Sequence, residues 1–91
     1  MTKRLSLKIT GLVQGVGYRY LSQKQAQKEG LSGYVKNLDD GSVEVVVEGD
    51  ETKLKEFIQW CYNGVGPAQV HKIEENWSEL TGEFSDFMIK S

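Results

Sequence analysis

The chain opens on strict alternation. Leu5, Leu7 and Ile9 fall on one side of the segment from Arg4 to Thr10, and Arg4, Ser6, Lys8 and Thr10 on the other. A period of two marks a half-buried strand with one polar face. The pattern returns from Ser42 to Glu48, where Val43, Val45 and Val47 share a face opposite Ser42, Glu44 and Glu48. The preceding run from Leu31 to Leu38 is also β-prone, and Asp39-Asp40-Gly41 supplies the turn that joins the two runs as a hairpin.

Beyond Gly49 the period changes. Leu54, Phe57, Ile58, Cys61 and Tyr62 recur at i, i+3, i+4, i+7 and i+8, the stripe of an amphipathic helix, with Asp50 placed to cap its start. Asn63-Gly64-Val65-Gly66-Pro67 stops that helix and forms a loop. An earlier helix is predicted from Arg19 to Glu29 by its run of Gln, Lys and Ala, with Gly30 at the C′ position. Its apolar face is thin: Tyr18, Leu21 and Ala26. Val70 to Trp77 reads as a strand anchored by Ile73 and Trp77. After a turn at Thr81-Gly82, Phe84 and Phe87-Met88-Ile89 supply a short terminal strand.

The order is βαββαβ with one added strand, which predicts an α+β protein. Two right-handed crossovers around a hairpin make a ferredoxin-like α/β sandwich, an antiparallel sheet with both helices on one face. The first and third strands are expected in the centre, and the second beside the third at an edge. At 91 residues the chain fits one domain, residues 1–91.

Composition narrows the function. A net charge of −2 lacks the basic footprint of a general nucleic-acid binder, so any anion site must be local. The first and third strands also lack the aromatics of an RNA-recognition module, and the Ser42, Glu44 and Glu48 side is expected to be an exposed acidic face. The single cysteine, Cys61, reads as a small buried hydrophobe, and with one histidine there is no metal-ligand spacing. No cofactor is expected. Alternation follows Met1-Thr2-Lys3-Arg4 where a secretory leader would carry a continuous apolar run, and nothing approaches membrane-spanning length. The expected compartment is the cytoplasm, and nothing demands more than a monomer.

The chemistry concentrates in Gly11-Leu12-Val13-Gln14-Gly15-Val16-Gly17-Tyr18-Arg19, between the first strand and the first helix. Glycines let backbone N–H groups converge, a helix start adds unpaired N–H groups and a positive dipole end, and Arg19 adds a planar charged fork. Together they suit a phosphate-like dianion. In the expected topology this loop can face residues of the second strand, which brings in Asn37. His71 falls on the fourth strand away from the loop. Glu74-Glu75 and Asp39-Asp40 read as solvated faces or turns, and Trp60 and Trp77 as packing residues.

With Asn37 included, the chain resembles the acylphosphatase family. The loop is similar to the family signature Gly-x-Val-Gln-Gly-Val-x-Phe-Arg, and Gly33-Tyr34-Val35-Lys36-Asn37 with Gly41, Val43 and Gly49 is similar to its second. One departure is Tyr18, where the family usually has Phe; its ring is expected to anchor the loop and its hydroxyl to need a partner. The resemblance implies metal-free hydrolysis of acyl phosphates to a carboxylate and inorganic phosphate. Arg19 matches the phosphate-binding arginine and Asn37 the water-positioning asparagine, with a backbone cradle over Gln14, Gly15, Val16, Gly17, Tyr18 and Arg19. The implied partner is a small acyl phosphate, with no nucleic acid or membrane. The alternative is a non-catalytic module binding carbamoyl phosphate or another anion, since such domains also occur inside larger carbamoyl-transferring proteins.

Overall fold

The two alternating segments lie side by side with their apolar faces in register. In a computed structural model of the chain, which describes residues 1–63 and 66–90, β1 (Thr2–Leu12) runs antiparallel to β3 (Val43–Asp50). Leu5 pairs with Val47, Leu7 with Val45 and Ile9 with Val43, and all of these side chains are buried. A slip of one residue would turn the whole set to solvent, so burial itself holds the register. β2 (Ser32–Asn37) pairs with β3 as the expected hairpin, and β4 (Gln69–Ser78) with the other side of β1, both antiparallel.

The helices take the two crossovers. α1 (Tyr18–Lys28) packs on β2, while α2 (Glu51–Asn63) packs on β1, β3 and β4 and touches α1. Asp50 caps α2 as expected, its Oδ2 accepting from the Thr52 N–H at 3.1 Å. Leu54, Phe57, Ile58 and Cys61 are buried, but Tyr62 is 43% exposed. The stripe is narrower than its spacing suggested, and Tyr62 sits past its rim. Gly64 and Val65 of the expected Asn63–Pro67 loop lie outside the described residues.

The terminal strand changes the sheet. β5 (Phe87–Lys90) pairs with β2 in parallel, giving the order β4-β1-β3-β2-β5, so the sheet is mixed and β2 is interior rather than an edge. An unpaired β2 would leave a row of N–H and C=O groups open. The pairing starts where the Gly33 N–H donates to the Asp86 carbonyl at 2.9 Å, and Phe87 anchors it in the core. Phe84 precedes the strand instead of joining it. α1, whose apolar face is as thin as expected, is tied to β5 by Gln23 and Gln27, whose Nε2 groups donate to the Phe87 carbonyl at 3.0 and 3.4 Å.

The face opposite the helices is not the open acidic surface expected. The segment between β4 and β5 attaches to it through Glu48, whose side chain is 2% exposed. The Thr81 N–H, Thr81 hydroxyl and Gly82 N–H donate to that carboxylate at 3.0, 2.7 and 3.1 Å, and Arg4 adds an ion pair at 3.2 Å. Phe84 lies under the Arg4 guanidinium and edge-on to Tyr34. Alternation placed Glu48 on the outward side correctly, but a long-range strap covers it. Among the described residues no helix is long and apolar enough to cross a membrane.

Candidate active site

The glycine-rich loop is built by its backbone. Between Thr10 and Gly11 the β1–β4 pairing shifts register, and a Cβ at Gly11 would run into the Gln69 carbonyl, so only glycine lets the strands stay this close at the bulge. Further on, Gly15 and Gly17 take φ of 76° and 81°, the left-handed region that a side chain resists. Neither would meet an atom within 4 Å if given a Cβ, so their requirement is conformational and the space above them is open.

Gly17 is also the N-cap of α1, and this helix begins without a side-chain cap and without an acidic residue in its first turn. The first-turn N–H groups of a helix have no intrahelical acceptor, and here no local side chain claims them or offsets the dipole. Arg19 stands in that first turn, half-buried. Its Nη1 donates to the Lys90 carbonyl at a long 3.4 Å, and no carboxylate pairs with it among the described residues.

Tyr18 lies beneath, fully buried against Trp60, and its hydroxyl finds the partner it needed in the Cys61 carbonyl, 2.9 Å away. Burial chiefly raises the phenol pKa far above its usual value and pushes the Cys61 thiol up to about 12, so neither group ionises near neutrality. Tyr18 thus joins the start of α1 to the end of α2, and Cys61 is the small buried residue expected.

These parts enclose a pocket of about 190 Å³ lined by Val13, Gly15, Gly17, Tyr18, Arg19, Tyr20, Asn37 and Ile89. Asn37, the last residue of β2, enters from a different element than the loop. Its Oδ1 is buried and accepts no hydrogen bond among the described residues. A buried amide oxygen without a donor is a cost that a ligand or water can relieve.

The side chains of Gln14 and Val16, whose backbone N–H groups were expected in the cradle, do not line the pocket. Val16 packs against the core, and the Gln14 amide turns to the hairpin, where Nε2 donates to the Leu38 and Ser42 carbonyls at 2.8 and 2.9 Å. Tyr20 and Ile89 were missed. Tyr20 could have been suspected as the neighbour of Arg19, whereas Ile89 arrives only through the parallel docking of β5. His71 is exposed on β4 and does not reach the pocket. Among the described residues no group of three or more His, Cys, Asp or Glu is placed to hold a metal.

The chain matches the family model for acylphosphatase over residues 5–89. It is 49% identical to an acylphosphatase of Caldanaerobacter subterraneus subsp. tengcongensis, over 98% of this chain and 99% of that one. The crystal structure of acylphosphatase from Bacillus subtilis superposes with a TM-score of 0.94 at 37% identity, covering 100% of both chains. The chain also matches full-length HypF, in its phosphate- and nucleotide-bound form, with a TM-score of 0.88 at 28% identity; it covers 100% of this chain and 12% of HypF. With a family model spanning nearly its whole length and a relative sharing almost half its residues, the chain belongs to the acylphosphatase family.

Proposed function

We propose that the pocket hydrolyses the carboxyl–phosphate bond of acyl phosphates, with the phosphoryl group held at the start of α1 and water delivered from Asn37. The observation that carries this reading is the unpartnered Asn37 Oδ1 in the wall of a pocket whose other wall is an uncapped helix start bearing Arg19. A phosphate-binding site needs only the second wall. A hydrolase also needs a group that holds water against phosphorus.

Phosphoryl transfer demands positioning and stabilisation of charge on the equatorial oxygens. The N–H groups from Gly15 to Arg19 and the Arg19 fork supply donors for those oxygens. The Asn37 Oδ1 accepts a hydrogen bond from the water and so orients the water's oxygen lone pair toward phosphorus. An amide is too weak a base to take the proton, so it passes to a phosphate oxygen of the substrate. The leaving carboxylate is stable without protonation, which relieves the protein of general-acid work. The chain's own groups account for each of these roles.

Hydrolysis of benzoyl phosphate in the presence of EDTA tests the reading. Turnover should persist, Arg19→Ala should remove about 2.7–4 kcal/mol of transition-state stabilisation, and Arg19→Lys should recover little because a point charge lacks the fork. Loss of turnover on adding EDTA would overturn the metal-free mechanism. An inactive parent that binds carbamoyl phosphate would favour the anion-binding module, a reading supported by the likeness to one part of HypF.

A further inference from the structure

Resting on the proposed hydrolysis, we infer that Tyr20 and Ile89 form an acyl-binding wall that selects aromatic acyl phosphates over short or polar ones. At about 190 Å³ the pocket is smaller than the roughly 300–1,000 Å³ that encloses a drug-sized ligand. It therefore takes the phosphoryl group and leaves the acyl part on the rim. The polar lining, Arg19, Asn37 and the loop backbone, is committed to phosphate and water. What remains for the acyl group is apolar.

Tyr20 follows Arg19 in the first turn of α1 and is 56% exposed; Ile89 reaches the same pocket from β5 and is 39% exposed. Single exposed apolar side chains are ordinary, but these two come from distant parts of the chain and meet at one pocket. The Lys24 ammonium lies 5.3 Å from the Tyr20 ring centroid, a cation–π contact that steadies the ring one helical turn from its own position. A flat acyl group can lie against a ring held this way and gain an offset-stacked or edge contact, which an acetyl or carbamoyl group is too small to make. No amide, hydroxyl donor or acid from the lining is left over to recognise a polar acyl substituent, apart from the Tyr20 hydroxyl itself.

The test compares kcat/KM for benzoyl phosphate and acetyl phosphate in the parent, Tyr20→Ala, Tyr20→Phe and Tyr62→Ala. Tyr62 is an exposed aromatic on α2 outside the pocket and serves as the control. Tyr20→Ala should lower the benzoyl-to-acetyl ratio about three- to tenfold, the worth of one aromatic contact, while inhibition by inorganic phosphate stays within about twofold. Tyr20→Phe and Tyr62→Ala should keep the parent ratio. Dissociation constants for phenylphosphonate and methylphosphonate, which are not hydrolysed, should show the same preference and the same loss in Tyr20→Ala. An unchanged ratio in Tyr20→Ala, or an equal weakening toward inorganic phosphate, would overturn the wall. Absence of turnover in the parent would overturn the hydrolase reading, while the phosphonate ratio still decides the wall.

Discussion

Gln14 clamps the glycine-rich loop to the end of β2, its Nε2 donating to the Leu38 carbonyl at 2.8 Å. Leu38 directly follows Asn37, so this bond links the loop wall of the pocket to the wall that carries Asn37. The same amide nitrogen reaches the Ser42 carbonyl at 2.9 Å, and the Leu38 N–H in turn donates to that Ser42 carbonyl at 2.8 Å. One side chain thus ties the backbone-closed hairpin end to the loop.

Gln14→Ala should accordingly lower kcat on the order of ten- to a hundredfold through misplacement of Asn37, with a smaller change in inhibition by inorganic phosphate. The lost pair of bonds should cost about 1–3 kcal/mol of stability. Gln14→Glu should not rescue either quantity, because a carboxylate has no proton for two carbonyls. Steady-state kinetics and thermal unfolding on one preparation of each variant measure both, and full kcat in Gln14→Ala would remove its positioning role.

Asn37 should show function and stability moving apart. Its Oδ1 is buried without a donor, so Asn37→Ala removes an unsatisfied polar atom. The melting temperature should stay level or rise while turnover falls about a hundredfold, the scale expected when a reacting water loses its orientation. A variant that loses stability and activity together would mark Asn37 as a structural residue of the hairpin instead.

At position 18 the exchange to the family's usual residue separates packing from chemistry. Tyr18→Phe keeps the buried ring and deletes the bond to the Cys61 carbonyl. Stability should fall by about 0.5–1.5 kcal/mol, and kcat for benzoyl phosphate should be unchanged, since the hydroxyl points to α2 and not to the phosphate. Chemical denaturation with activity measured in parallel checks this.

Glu48 makes the strap across the outer face sensitive to acid. Burial alone raises its pKa, but the donors on Thr81 and Gly82 and the Arg4 ion pair together outweigh it and hold the carboxyl below its ordinary 4.5. A carboxylate whose folded pKa is depressed stabilises above the unfolded pKa and loses that contribution as pH falls through the folded one. Glu48→Gln should cost about 1.5–3 kcal/mol at neutral pH, the worth of hydrogen bonds to a charged group. The stabilities of parent and variant should converge as pH falls below about 4.5, both declining further because Asp40, Asp50 and Glu83 are also held low. A gap that stays constant with pH would show that the Glu48 charge does not fasten the strap.

Short-range periodicity carried most of the fold. Leu5, Leu7, Ile9 and the three alternating valines of β3 declare their buried face within a few residues, because strand geometry forces alternate side chains to one side. Leu54, Phe57, Ile58 and Cys61 do the same for α2 with the helical period. The glycine loop was legible for a related reason: backbone conformation at Gly15 and Gly17 is a property of the residue itself, so the turn into α1 is written locally. Arg19 and Asn37 were legible as residue types in two motifs, and the pocket brings both into one lining.

What periodicity could not reach depends on contacts between residues far apart in the chain. Glu48 looks like any outward glutamate until Thr81 and Gly82 arrive to cover it, and β2 looks like an edge until β5 pairs along it. Gln14 was read for its backbone N–H, whereas its side-chain amide donates to two carbonyls that only hairpin closure places within reach. Ile89 becomes part of the pocket only after that same parallel pairing. The elements, the core faces and the glycine-rich turn into α1 were readable from the chain alone, since each follows from the geometry of a few consecutive residues. How the outer face is closed, what ties the end of β2 to the loop and how Ile89 comes to the pocket emerge only in the folded chain, since each requires strands and turns far apart in sequence to meet.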